Sequence, residues 1–372
     1  MYLQDLSLLN FKNYTEATIN FCKHINCFVG NNGKGKTNLL DAIYYLSFSK
    51  SFLNPIDSQN ILYNAPFFML QGTFRNADST DEVYCSQKRN HKKQFKRNKK
   101  EYTRLADHIG LFPLVLISPT DTELIHQGSE SRRKFMDSVI AQADAVYLAN
   151  LINYNKILVQ RNALLRYFYE SRSFDKENLE IWNLQLIEYG ERLYQKRQSF
   201  IDTFNPIFQT YYNLISGEEE AESASISYNS HLHTPDFADT LSKAFNKDMA
   251  LQYSSVGVHK DDLDFSINNY PIKKFASQGQ QKSFLIALKL AEFDFIKKIK
   301  QYPPLLLLDD IYDKLDEVRV RKLMHLISNE NFGQVFITDT HKDRIMDLFE
   351  NSEKEMSFFA IKNNLVLPQI AP

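Results

Sequence analysis

The sequence predicts an α/β fold in which sheet-bearing parts at the two ends of the chain are separated by an inserted helical hairpin. Three observations carry that reading. A buried apolar run from Ile25 to Val29 passes through a glycine-rich turn into helical spacing from Thr37. A heptad-like stripe occupies the middle of the chain, between Tyr147 and Phe200. A fully apolar strand, Leu305 to Leu308, returns near the end.

In chain order, Leu3 to Leu9 and Ala17 to Phe21 alternate as strands, and Ile25 to Val29 follows as a buried one. Leu39, Leu40, Ile43, Tyr44 and Leu46 then share one helical stripe. Strands are predicted at Phe68 to Phe74, Val83 to Lys88 and Gln94 to Lys96, with a buried one at Leu114 to Ile117. Around Arg132 the character turns helical. Tyr147, Leu151, Tyr154, Leu158, Leu165 and Phe168 form a stripe interrupted only by Arg161. Leu179, Trp182, Leu186, Tyr189, Leu193 and Phe200 repeat it after the polar turn 170–178. Helices joined so closely lie antiparallel, giving a hairpin of roughly 45 Å at about 1.5 Å per residue. The acidic stretch GEEEAESASIS at 217–227 predicts an exposed loop. Leu263 to Ile267 and Ile272 to Phe275 predict strands paired across Asn268 and Asn269, and a helix follows from Gln280 to about Ile299. The expected parts are therefore 1–131, 132–255 and 256–372.

With 43% hydrophobic residues the 372-residue chain can bury a large core, and its net charge of -1 excludes a uniformly basic nucleic-acid binder. Any DNA contact must be local. Between Lys88 and Lys100 the segment KRNHKKQFKRNKK holds eight lysines and arginines around Phe95. Such a run suits phosphate contact, and it equally suits a solvated hairpin whose lysines prevent edge pairing. Cys22, Cys27 and Cys85 include no C-x-x-C pair, which points to reduced thiols in place of disulfides or zinc. No leader-like N-terminus and no run of roughly 18 apolar residues is present, so the chain reads as soluble and cytoplasmic.

Residues 30–37, GNNGKGKT, satisfy G-x-x-x-x-G-K-S/T through Gly30, Gly35, Lys36 and Thr37, at the strand-to-helix junction this motif requires. Glycines let successive N–H groups and the helix N-terminus face a triphosphate. Lys36 is expected to reach the β and γ phosphates and Thr37 to offer a hydroxyl to Mg²⁺. Asn31, Asn32, Gly33, Lys34 and Asn38 are expected to line the ATP site. Two acids end the strand LLLLDD: Asp309 suits a water-mediated contact to Mg²⁺, and Asp310 suits a base or positioner for attacking water. The stretch ASQGQQKS at 276–283 places Ser277, Gly279 and Gln280 where a helix begins, a second anion site. Read alone it is a well-capped helix. One chain does not need two phosphate cradles. Two chains arranged head to tail do, because each ATP then lies between one P-loop and the other chain's serine-glycine segment.

These parts in this order resemble the ATP-binding-cassette ATPases of the chromosome-maintenance type. The segments NFKNY at 10–14, GNNGKGKTNLLDAIYYLS at 30–47, SPTDTELIHQGSESRRKFMD at 118–137, VGVHKDDL at 256–263, SQGQQKSFLIALKLAEF at 277–293 and LLLLDDIYDKLD at 305–316 narrow the resemblance to the RecF family. That resemblance implies an ABC-type ATPase head built from the N- and C-terminal parts, with weak DNA-dependent hydrolysis of ATP. It implies Lys12 near the nucleotide phosphates, Asp316 touching the other subunit, and Thr338 and Thr340 as a switch after the last strand. It also implies a homodimer that closes on ATP and clamps duplex, gapped or junction DNA in recombinational repair. RecO and RecR are the implied partners, RecA is served indirectly, and the implied place is the bacterial nucleoid, not a membrane. The chain departs from the family pattern at Glu130 and Val258, where prolines are usual, and its double arginine stands about one residue early, which puts the family roles of Arg132, Arg133 and His259 in doubt. His341 reads as a surface histidine more readily than as a γ-phosphate sensor. A small-molecule kinase is disfavoured by Asp310 and the serine-glycine segment, and a purely architectural protein by the shortness of the hairpin.

Overall fold

Apolar alternation builds the N-terminal end into a pair of long antiparallel strands, β1 (Tyr2–Phe11) and β2 (Tyr14–Asn20). A register shift between Leu3 and Asp5 lets Leu3, Leu6 and Leu8 all face the core. The structure is a computed structural model. It describes every residue except 78, 217–221, 234–235, 311–316, 330–331, 350–353, 363 and 370–372, and except the side chains of 317, 318, 329 and 369.

The chain continues through β3 (Ile25–Val29), α1 (Lys36–Phe48), β4 (Phe67–Arg75), β5 (Thr80–Lys88), β6 (Gln94–Arg97), β7 (Lys100–Glu101) and β8 (Leu114–Ile117). Helices follow as α2 (Glu123–His126), α3 (Ser129–Ala143), α4 (Ala145–Ser171) and α5 (Lys176–Ser216). Next come β9 (Ala224–Asn229), α6 (Phe237–Lys243), α7 (Phe245–Leu251), β10 (Asp262–Ile267), β11 (Tyr270–Pro271) and α8 (Ile272–Phe275). The C-terminal part holds α9 (Gln278–Lys300), β12 (Leu305–Leu308), α10 (Glu317–Asn329), β13 (Val335–Asp339), α11 (Lys342–Leu348), β14 (Met356–Lys362) and β15 (Leu365–Gln369).

These elements form two units. The first comprises Met1–Thr122, Thr210–Glu220 and Gln278–Pro372, and the second Glu123–Gln209 and Ala221–Ser277. The second unit is wider than the expected 132–255 insertion because it has its own antiparallel sheet, β11-β10-β9, and β10 packs on α3. Part of the acidic stretch is thus strand: Ala224 to Ser227 pair with β10, while 217–221 lie outside the described residues. Ile272 to Phe275, expected to be a strand, is the helix α8. Only Tyr270 and Pro271 pair with β10 across Asn268 and Asn269, which both adopt positive φ.

In the first unit an antiparallel sheet, β2-β1-β4-β5-β6-β7, and a largely parallel one, β15-β14-β3-β13-β12-β8, share one core with α1. Both faces of the parallel sheet are covered, so β12 and β13 are buried at every position. For the same reason α1 is buried on nearly all sides, Asp41 and Ser47 included, and not along the single stripe its spacing suggested. Parallel pairing brings the C-terminal ends of β3, β12 and β13 to one edge, where open α/β sheets place their ligands.

In the second unit α4 and α5 pair antiparallel with a seven-residue step. Tyr147 meets Arg197 (3.0 Å), Tyr154 packs where a Cβ on Gly190 would stand (3.4 Å), and Arg161 meets Asn183 (2.8 Å). Arg161 does not interrupt the stripe. It lies within it, 1% exposed, donating to Asp248 (2.8 Å) and Ser254 (2.6 Å).

Candidate functional site

The glycine-rich turn leaves β3 at Val29. The Gly30 N–H donates to the Asp339 carbonyl (3.1 Å), and a Cβ on Gly30 would stand 2.6 Å from the Ile361 carbonyl oxygen, so only glycine fits beside that strand. Gly33 (φ 76°) and Gly35 (φ 103°) take left-handed conformations that curl the loop before α1 begins at Lys36. The Lys36 ammonium folds over this loop, donating to the carbonyls of Gly30 (2.8 Å) and Asn31 (3.3 Å) and to Asn32 Oδ1 (3.3 Å). Such a lysine, 4% exposed and satisfied among the described residues by loop oxygens, is placed to exchange them for an anion.

The acids at the end of β12 sit beside this turn. Asp309 Oδ1 accepts from the hydroxyls of Thr37 (3.0 Å) and Thr338 (2.8 Å), and the Thr338 hydroxyl also accepts the Asp310 N–H (2.9 Å). Register explains the meeting: Leu308 pairs with Ile337, so the residues that follow each stand side by side. Burial raises the pKa of Asp309, the two threonine hydrogen bonds oppose that rise, and the neighbouring Asp310 adds to it. Asp310 holds φ 44°, a left-handed conformation that aspartate tolerates better than most residues. Thr338 lies inside β13, with β14 and β15 still to follow, and not after the last strand. Thr340 is weakly tied to Asp339 (3.4 Å), and His341 is exposed, its backbone N–H donating to the Asp339 carboxylate (2.7 Å).

Lys12 points its ammonium at Asp41, 2.5 Å away, one helical turn beyond Thr37. Its neighbours Asn13 and Tyr14 reach the P-loop directly, a contact that spacing does not announce. Their only local signal is an asparagine in a tight turn between two strands. Ser277 is exposed and precedes α9, which starts at Gln278, so Gly279 and Gln280 fall in its first turn. A Cβ on Gly279 would come within 3.1 Å of the Arg319 guanidinium, which itself donates to Ser283 (2.7 Å). Asp316 lies outside the described residues.

The chain matches the RecF/RecN/SMC N terminal domain over residues 2–364. It is 51% identical over 359 residues to the DNA replication and repair protein RecF of Flavobacterium johnsoniae, covering 96% of this chain and 99% of that one. The chain belongs to the RecF family. A further RecF, from Phocaeicola vulgatus, is 49% identical over 98% of each chain. Among solved structures, a recombination mediator protein RecF with ATP, described as acting in the RecFOR pathway, superposes with a TM-score of 0.88 at 29% identity. That match covers 99% of this chain and 98% of the other. An Smc head domain from Pyrococcus furiosus, at 18% identity and a TM-score of 0.57, shares the fold. Membership in the RecF family makes this a DNA replication and repair protein with the head fold of ABC-type ATPases.

The other RecF-family segments meet inside the second unit. Arg132 forms a two-pronged pair with Asp262 (2.7 and 2.8 Å), and Arg133 donates to the Asp261 carbonyl (2.6 Å). Arg197, 1% exposed, joins Asp137 (2.9 Å), Asp261 (2.6 Å) and the Val258 carbonyl (2.7 Å). His259 lies between Tyr154 (2.8 Å) and the Ser254 carbonyl (3.0 Å), and burial lowers its pKa to about 4. SRRKFMD and VGVHKDDL therefore join helices to the small sheet.

The basic run divides in two. Lys93 is committed to Asp57 (2.7 Å) and the Ser49 carbonyl (2.6 Å), and Arg97 to Asp81 (2.8 and 2.9 Å). Lys88, Arg89, Lys92, Lys99 and Lys100 are exposed at the ends of β5 and β6, whereas Phe95 is buried. Among the described residues no helix is long and apolar enough to cross a membrane, and all three cysteines are free and buried.

Proposed function

We propose that this chain hydrolyses ATP, closes on it as a homodimer, and in that state clamps DNA at gaps and junctions during recombinational repair. The observation that carries the reading is Asp309 Oδ1 shared by the hydroxyls of Thr37 and Thr338, with Asp310 fixed next to it by the same threonine. Gly30, Asn31, Asn32, Gly33, Lys34, Gly35 and Asn38 surround the triphosphate, and Lys36 leaves its loop carbonyls for the β and γ phosphates. Lys12, held by Asp41, adds positive charge one turn beyond Thr37. Thr37 Oγ1 and Asp309 offer hard oxygen donors beside the phosphate positions, a set that fits Mg²⁺ bound through water and substrate oxygens. When present, the ion neutralises charge developing on the β and γ oxygens. Asp310 orients the attacking water and accepts its proton as the bond from the β-γ bridging oxygen to the γ-phosphorus breaks, giving ADP and inorganic phosphate.

The second half of each site comes from the other chain. Ser277, Gly279 and Gln280 meet the γ-phosphate held by the partner's P-loop, and Asp316 contacts that chain. RecR and RecO are the proposed partners, with RecA loading as the indirect result, in the cytoplasm. The test is sizing by light scattering of wild type and Asp310→Asn, with and without Mg-ATP and gapped DNA. Asp310→Asn should form a stable ATP-dependent dimer while hydrolysis falls by roughly 10² to 10⁴. Monomers under all conditions, or wild-type turnover in this variant, would reject the reading.

A further inference from the structure

Peptide geometry gives the β1–β2 turn a role in the site. Asn13 Nδ2 donates to the Lys34 carbonyl (3.3 Å) and to Asn364 Oδ1 (2.7 Å), while Asn13 Oδ1 accepts from Asn38 Nδ2 (2.7 Å). The Tyr14 hydroxyl donates to the Gly35 carbonyl (3.1 Å). In a trans peptide the carbonyl of one residue and the N–H of the next point in opposite directions. Holding the Lys34 and Gly35 carbonyls toward the turn therefore aims the N–H groups of Gly35 and Lys36 at the opposite face. Those amides belong to the cradle that a P-loop offers to phosphate. Gly35 closes the contact: it sits at φ 103°, and a Cβ there would stand 2.4 Å from Asn13 Nδ2. Tyr14 is fully buried and cannot swing away, and Asn13 is clamped from both α1 and the turn between β14 and β15.

We infer that Asn13 and Tyr14 are positioning residues for nucleotide binding: they hold the P-loop carbonyls outward so that its amides face the phosphates before ATP arrives. This rests on the nucleotide site proposed above. Neither side chain acts on the γ-phosphate bond, so their loss is expected in affinity and not in the chemical step.

The test uses full-length Asn13→Ala, Asn13→Asp and Tyr14→Phe, with calorimetric titration of ATP and ADP and steady-state hydrolysis. Each of Asn13→Ala and Tyr14→Phe should weaken both nucleotides about five- to ten-fold, the equivalent of one neutral hydrogen bond. Hydrolysis at saturating ATP should stay within about two-fold of wild type. Asn13→Asp conserves size but faces the Lys34 carbonyl with a carboxylate, so it should weaken binding more than alanine does. Tyr14→Phe keeps the buried ring and guards against a folding failure. Affinities within two-fold of wild type in folded Asn13→Ala and Tyr14→Phe would overturn the inference. So would equal losses in affinity and turnover that track a lowered melting temperature. Lys36→Met separates the two levels. If it binds ATP normally, the nucleotide site itself is rejected; if it loses ATP while the turn variants do not, only this inference fails.

Discussion

Replacing Thr338 by valine removes one hydroxyl and almost no volume, which isolates the polar link between β13 and the acids of β12. Thr338 is completely buried, and its oxygen serves two partners, the Asp309 carboxylate (2.8 Å) and the Asp310 N–H (2.9 Å). A hydrogen bond to a charged group contributes about 1.5–3 kcal/mol, and a buried amide left without an acceptor costs about 1–3 kcal/mol. After local relaxation a loss of about 3 kcal/mol is expected for Thr338→Val, measured by denaturant unfolding of the nucleotide-free protein. The threonine bond is also one of two that oppose the burial-driven rise of the Asp309 pKa. Without it the carboxyl takes up a proton at higher pH, so the acidic limb of the nucleotide-free protein's pH–stability profile, where stability falls as pH rises through the folded pKa, should move upward. Thr338→Ser keeps the hydroxyl and loses a methyl, so it should cost about 1 kcal/mol and leave the limb in place. Equal stability and superimposable pH profiles for Val and Ser would refute the role given to this hydroxyl.

Arg161→Met should destabilise the second unit by about 3–5 kcal/mol in denaturant unfolding, because Asp248 is left buried with its charge unpaired; Asp248→Asn in the same chain should recover part of that loss. His108, held neutral between Tyr102 and the Leu46 carbonyl, has a pKa lowered to about 4 by burial. The unfolded chain therefore binds the extra proton between about pH 6.5 and 4, and this part of the stability, complete above about pH 6.5, should be lost as pH falls through that window. His108→Gln should flatten the pH dependence of the melting temperature there. Neutralising Lys88, Arg89, Lys92, Lys99 and Lys100 should weaken DNA binding and reduce its salt slope by about 0.9 log units for each phosphate that is no longer neutralised, whereas an unchanged slope would assign these side chains to edge protection alone.

The parts of the site that are legible in the sequence are local. Gly30, Gly35, Lys36 and Thr37 announce themselves because a phosphate loop needs those residue types at fixed spacing, and Asp309 because an apolar strand ends on it. Thr338 acquires its meaning only when parallel pairing sets β13 beside β12, and no residue within β13 signals that neighbour. Arg161 reads as a break in an apolar stripe because its partners Asp248 and Ser254 lie 87 and 93 positions away. IKKF at 272–275 follows the Asn268–Asn269 turn where a hairpin strand would stand, yet its apolar residues are three apart, the spacing of a helix turn, and only Ile272 is buried. Lys12 is placed near the phosphates by family likeness alone, and the carboxylate that holds it, Asp41, sits on a side of α1 that the apolar stripe assigns to solvent.

The proposed composite site between two chains is tested most directly by mixing two inactive variants. Lys36→Met should disable the P-loop of its own chain, and Ser277→Arg should block the surface proposed to meet the γ-phosphate bound by the other. In a mixed dimer both defects fall in one site and the second site is complete. ATP hydrolysis measured across mixing ratios should therefore rise from the background of either variant to a maximum near equal proportions, with Ser277→Arg alone binding ATP as a monomer. Full hydrolysis and ATP-dependent dimers from Ser277→Arg alone, with no gain on mixing, would contradict the shared site and establish a self-contained one.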